Sequence, residues 1–167
     1  SYNMNTETTD KLKLWISSGG VLITWRTGAR WAINHELVTE EIETGQPDTT
    51  QVAYERVGPN RDAHRIGGSI FEVALDTTHP LAFGYGDMAP VFRNHELFFQ
   101  PSKTPGATVA RYTSSPLLSG YISSRRLAEL KGTSALIARR SGNGSVVLFA
   151  DNPNFRAFRY GSNGLFL

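Results

Sequence analysis

Three features of this 167-residue chain predict an α/β fold, a single layered domain with a mixed, mainly parallel sheet. Gly144 to Phe155 reads as a buried strand running into a capped helix. Thr8 to Leu37 reads as helix, strand, helix, the succession of a layered parallel sheet. Between these two regions, short apolar runs bounded by Gly, Pro, Asn and Asp give further strands.

Taken in order, Thr8 or Thr9 can cap a first helix with Leu12, Trp15 and Ile16 on one face, and Gly19-Gly20 ends it, because glycine takes the left-handed C′ conformation without penalty. Val21 to Trp25 is a five-residue apolar run, read as a buried strand, and Thr27-Gly28 turns into a short helix over Ala29 to Leu37. Residues 38–66 are rich in Glu, Asp, Gly and Pro without sustained periodicity, and are read as a polar surface excursion within one domain spanning 1–167. Strands are then expected at Ile70 to Leu75, Pro90 to Phe92, Glu96 to Phe99, Thr108 to Tyr112 and Gly120 to Ile122. Ser124 can cap a helix through Leu130, ended by Gly132. Ser134 to Arg139 and Ser145 to Ala150 flank Gly142-Asn143-Gly144, and an Asn-Gly pair between two strands signals a hairpin. The last strand therefore runs antiparallel to its predecessor. Asn152 caps the closing helix, read through about Tyr160, and Pro153 takes its first position, where the missing N–H costs nothing.

The composition excludes several classes. There is no cysteine, so there are no disulfides, thiolate metal sites or cysteine nucleophiles. The net charge is +2 and the arginines are dispersed, without the basic stripe of a nucleic-acid binder. No apolar run reaches the ~20 residues of a membrane span, so neither nucleic acid nor membrane is expected as a partner.

The chain has one exact recurrence, Asn-His-Glu-Leu at Asn34 to Leu37 and at Asn94 to Leu97. Neither copy makes a zinc motif. HExxH needs a second histidine four residues on, where Thr39 and Phe99 stand, and HxxE needs glutamate where Val38 and Phe98 stand. His64 and His79 have no partner at ligand spacing. Solvated or capping histidines, and no metal, are the expectation. Gly84-Tyr85-Gly86 and Gly142-Asn143-Gly144 are incomplete as dinucleotide loops, and Phe155 and Phe158 at helical spacing read as core.

Gly19 to Gly28 resembles the strand and nucleophile elbow of class I glutamine amidotransferase-like domains, and Gly144 to Phe155 resembles that family's last strand and its His-Pro-Glu turn. The alignment puts Arg26 at the cysteine, Asn152 at the histidine and Asn154 at the glutamate. None of these can serve as nucleophile, base or orienting carboxylate. The resemblance thus implies a flavodoxin-like scaffold retained without catalysis. Asp76 to Tyr85, Leu117 to Tyr121, Asn154 to Arg156 and Tyr160-Gly161 resemble the C-terminal amidotransferase-like domain of certain bacterial zinc carboxypeptidases.

That resemblance implies a C-terminal fragment of a larger, exported protein (periplasmic or secreted), lacking the fold's N-terminal strand and helix. The peptidase domain would be the partner, and zinc would be bound only there. The expected function is that of a non-catalytic accessory domain that packs against the peptidase or binds a ligand. Arg26, Asp151 and Asn152 are the ligand-binding candidates, suited to an anion at a helix N-terminus, with an Arg26–Asp151 ion pair as the plain alternative. The other function classes are an independent hydrolase using Asp76 and His79, or a general interaction module of an unrelated enzyme. Self-association through an exposed sheet edge is a further expectation.

Overall fold

In a computed structural model that describes residues 6–44 and 66–154, the chain opens with helix α1 (Thr6–Ser17). Gly19, at φ 124°, closes α1: its N–H bonds Ile16 O at 2.9 Å and the Gly20 N–H bonds Trp15 O at 3.0 Å. A Cβ on Gly20 would overlap the Trp15 ring, so the tight turn into β1 (Val21–Trp25) requires glycine there. Helix α2 (Thr27–Asn34) follows at once.

Next come β2 (Ile42–Thr44), β3 (Ser69–Leu75), a 3-10 turn at Pro80–Ala82, β4 (Met88–Arg93) and β5 (Leu97–Phe99). They are followed by β6 (Thr108–Ser119), α3 (Ser124–Leu130), β7 (Ser134–Ser141) and β8 (Gly144–Phe149). The α/β class is as the sequence predicts, with eight strands and three α-helices among the described residues.

The strands form one mixed, curled sheet in the order β1-β8-β7-β6-β3-β4, with β5 paired to β7 and β2 to β5. The expectation of a mainly parallel sheet is corrected: among the described strands only β1 and β8 are parallel. Parallel pairing needs a crossover of a dozen or more residues. The two-residue turn between β7 and β8 leaves no room for one, while the longer connections 76–87 and 120–133 also bring the chain back antiparallel.

Three further expectations change. Residues 38–66 are not wholly an excursion: β2 pairs with β5, Val38 is buried, and the Glu40 carboxyl bonds Arg139 at 3.2 Å and Ser102 at 2.9 Å. Residues 45–65 lie outside the described part, as does the closing helix read to Tyr160. The strand predicted to end at Tyr112 continues to Ser119 through register shifts that accommodate Pro116. Gly120, at φ 98° and packed on Ser69, ends it, so Gly120 to Ile122 is not a strand. The β7–β8 hairpin forms as expected but turns on Gly142-Asn143, since Ser141 pairs with Gly144. Positive φ falls on Gly142 alone of that pair, as a turn with glycine first requires.

Strand β8 is covered on both faces. Val146, Leu148 and Ala150 pack with Ile16 of α1 and with Ala29 and Ala32 of α2. Val147 and Phe149 join Phe71, Val73, Leu136 and Leu130 on the other side. Burying each such large side chain contributes about 1.5–3 kcal/mol, which explains the continuous apolar run. Strand β1 is different: Val21, Ile23 and Trp25 are 54%, 37% and 41% exposed, so this predicted buried strand is, among the described strands, an edge strand whose one face is partly exposed.

Candidate functional site

The parallel pair β1–β8 brings two chain turns to one end of the sheet. Arg26 stands between β1 and α2 at φ 51° and ψ −117°, a backbone region that costs a non-glycine residue about 1–3 kcal/mol. Two hydrogen bonds hold it there: its N–H donates to Phe149 O at 3.1 Å, and its carbonyl accepts from Arg30 N–H at 3.1 Å. Hydrolases use such a strained strand-to-helix turn to present a nucleophile. Here it presents a half-buried guanidinium, which attacks nothing. Gly28 is not sterically obligatory, since a Cβ there would meet Thr24 at an ordinary 3.7 Å.

Beyond β8, Asp151 is buried and holds a polar cluster together. Arg93, at the end of β4, is fully buried; its Nη1 donates to Asp151 Oδ1 at 3.1 Å and to the Tyr112 hydroxyl at 3.2 Å. Its Nη2 donates to Leu97 O, and the Tyr112 hydroxyl donates to Asp151 Oδ2. The guanidinium also lies 4.8 Å from the Phe98 ring centre and 5.5 Å from that of Tyr112.

His95 completes the cluster, with Nε2 3.0 Å from Asp151 Oδ1 and Nδ1 accepting from Leu97 N–H at 3.1 Å. Nδ1 therefore carries no proton, and Nε2–H donates to the carboxylate. Burial, together with the charges of Arg93 and Arg26, pushes the His95 pKa down against the pull of Asp151. For Asp151, burial raises the pKa, but Arg93 first and then His95 and Tyr112 outweigh it and keep the carboxylate ionised. Burial and the Asp151 charge raise the Tyr112 hydroxyl well above its ordinary range. A His–Asp pair beside a strained turn has the outline of an acid–base site. Yet neither ring nitrogen has a lone pair or proton to spare, so proton transfer to a substrate would require breaking a structural bond.

The predicted Arg26–Asp151 ion pair does not form, because Arg93 occupies the carboxylate. Arg26 and Asp151 nevertheless share one end of the sheet, close enough for the Arg26 charge to act on His95. Asn152 behaves as a cap, its Oδ1 accepting Asn154 N–H at 3.0 Å. Asp151, Asn152 and Pro153 line a small apolar crevice with Val91, Phe92 and Phe149; Arg26 is not among the residues lining it.

Asp76 and His79 each serve their own turn. Asp76 accepts from the Thr78 N–H at 3.0 Å and from its hydroxyl at 2.5 Å, and His79 Nδ1 accepts Leu81 N–H at 3.1 Å. The Thr78 hydrogen bonds, ahead of the nearby His79, hold the Asp76 pKa below the usual range. His64 lies outside the described residues. Among the described residues no three His, Asp or Glu side chains are grouped to hold a metal, and no helix is long and apolar enough to cross a membrane.

Reading the sequence missed Arg93 and Tyr112. The available signal was period two: Ala89, Val91 and Arg93 are the inward residues of β4, so an arginine at a core position needed a buried anion. No spacing rule links it to Asp151, 58 residues away.

No protein-family model matches the chain, and no curated protein matches it. Several solved structures align with it. The β-galactosidase from Rahnella sp. R3 is 14% identical with a TM-score of 0.47, over 98% of this chain and 20% of that one. The β-galactosidase from Bacillus circulans sp. alkalophilus is 14% identical with a TM-score of 0.44, over 89% and 18%. A β-galactosidase from G. stearothermophilus is 15% identical with a TM-score of 0.34, over 89% and 17%.

The chain thus spans about a fifth of the length of these proteins, and at such values the likeness assigns it no activity. The findings do correct the resemblance to amidotransferase-like domains and zinc carboxypeptidases. The aligned structures named above are all β-galactosidases, and none of these is a carboxypeptidase or an amidotransferase. The mainly antiparallel sheet also departs from a flavodoxin-like one. The quoted residues misled because a strand, a turn glycine and a capping Asn-Pro build many α/β domains.

Proposed function

We propose that this domain is non-catalytic and binds an anionic group, a carboxylate in the simplest case, at the β1–α2 turn. One observation carries the reading. Arg26 has no side-chain partner among the described residues, while Asp151, the carboxylate at the same end of the sheet, is already neutralised by Arg93. A half-buried arginine without a counter-ion favours an anion, and the first N–H groups of α2 add to that preference. The non-catalytic part of the reading rests on His95, whose two ring nitrogens are both engaged in holding the fold.

Thermal unfolding in increasing acetate or citrate, for the wild-type chain and Arg26→Gln, tests the binding. The wild type should gain stability saturably, by about 1.4 kcal/mol near tenfold excess over Kd, and Arg26→Gln should not. An equal response in both proteins refutes the site. Ester, peptide and glycoside hydrolysis should be absent; turnover that disappears in His95→Gln would refute the non-catalytic reading.

A further inference from the structure

The two ends of the main run of strands, β4 and β1, are treated differently. Strand β4, at one end, carries Pro90 with its side chain exposed, and a proline on an edge blocks addition of another strand. Strand β1, at the other end, is Val-Leu-Ile-Thr-Trp, with no charge and no proline. Its outward side chains Val21, Ile23 and Trp25 are exposed, and half-exposed Trp15 lies over Gly20 at the start of the row.

The direction of the backbone groups follows from β8. The carbonyl of Gly20 accepts Ser145 N–H and the N–H of Arg26 donates to Phe149 O, so the even-numbered residues from 20 to 26 face β8. In a parallel strand both groups of a residue point the same way. Val21 and Ile23 therefore direct their N–H and C=O toward the edge.

We propose that this edge pairs with β1 of a second copy of the chain, antiparallel, with Leu22 on the two-fold axis. That register sets Val21 opposite Ile23 of the other copy as hydrogen-bonded pairs, which exchange four backbone hydrogen bonds in all, with Leu22 facing Leu22 as a non-hydrogen-bonded pair. The side chains agree with it. β-Branched residues face each other on the bare side, and Trp25 comes opposite Gly19, around which there is open space. Charge agrees as well, since Arg26 comes opposite Ser18 rather than a second cation. An uncharged strand offers nothing to an acidic or basic peptide, and its own copy matches it in pattern and length.

Light scattering after size exclusion, from micromolar to submillimolar protein, should give twice the chain mass. Ile23→Lys adds charge to the exposed face and Val21→Pro removes an edge N–H that bonds no described residue. Each should weaken association by at least about tenfold, whereas Met88→Lys on β4 should leave it unchanged. The cysteine-free chain allows a test of register that does not depend on destabilised variants. V21C mixed with I23C should form a cross-link on oxidation, because hydrogen-bonded pairs hold Cα atoms about 5.5 Å apart, within disulfide range. A monomer at every concentration overturns the proposal. So does a dimer that survives both β1 substitutions or one lost in Met88→Lys, and so does the absence of a V21C–I23C cross-link.

Discussion

Asn-His-Glu-Leu occurs twice, and the two copies fold into different structures. In the first, His35 caps α2 and Glu36 follows at φ 57°. Glu36 N–H bonds Ile33 O at 3.0 Å and Leu37 N–H bonds Ala32 O at 2.9 Å, the paired bonds of a Schellman motif with glutamate in glycine's place. His35 Nδ1 lies 3.0 Å from Trp31 O, to which it donates, and its ring stacks on Trp31. In the second copy the chain leaves β4 and enters β5. His95 Nδ1 accepts from Leu97 N–H, Nε2 reaches Asp151, and Glu96 bonds Arg126 of α3 at 3.3 Å.

The same four residues thus place the imidazole proton on opposite nitrogens. What differs is the neighbour: a carbonyl one turn back along a helix, or a carboxylate delivered by a distant strand. The first copy is settled locally. The second is settled by the core.

The largest test of this contrast is Asp151→Asn. It removes the charge that compensates buried Arg93, and breaking such a pair costs about 3–5 kcal/mol. The loss should appear as a lower denaturation midpoint in urea with little change in slope. A cost below about 1 kcal/mol would mean that the second copy does not depend on the core.

Histidine replacement is next. His95→Gln should cost about 2 kcal/mol, having lost a bond to a charged group, and His35→Gln less than about 1 kcal/mol for an exchange at a helix end. Equal losses would erase the distinction.

The first of these variants also carries a pH signature. The His95 pKa is depressed in the fold, by burial above all, so below about pH 6.5 the unfolded chain binds a proton that the folded chain refuses. Stability is therefore full above that pH. It falls as the solution is acidified toward the folded-state pKa, by up to about 1.4 kcal/mol per pH unit, and a protonated ring can no longer accept Leu97 N–H. At lower pH, Asp151 adds its own loss as pH falls through its depressed pKa. His95→Gln should flatten the upper part of this profile; an unchanged slope refutes the assignment. The smallest effect is expected of Glu36→Gly, which relieves the left-handed residue and should stabilise by about 0.4–1 kcal/mol. Destabilisation would show that the Glu36 side chain contributes more than its strain costs.

Much of the fold was legible because it is written in short range. The α1 stop at Gly19-Gly20, the β7–β8 hairpin and the two-sided burial of β8 each follow from a few adjacent residues, whereas the cap of α3 falls on Ser123, whose side chain accepts from Arg126 N–H, one residue before the Ser124 expected. Even the strained turn at Arg26 lay where a strand met a helix without a spacer. Strand direction was not legible, because antiparallel pairing of β3 to β8 depends on which runs meet and not on the runs themselves. Nor was the exposure of β1: an apolar run looks alike at a sheet's centre and at its edge.

By itself, then, the sequence determined the α/β class, most of the elements and the absence of thiol chemistry, since propensity, capping and residue inventory are local properties. Only the tertiary structure decided that Arg93, Tyr112, His95 and Asp151 form one buried cluster and, among the described residues, that Arg26 is left without a counter-ion and that β1 ends the sheet. Each of these is a long-range choice of neighbours, fixed by the requirement that buried charges find partners and apolar faces find cover.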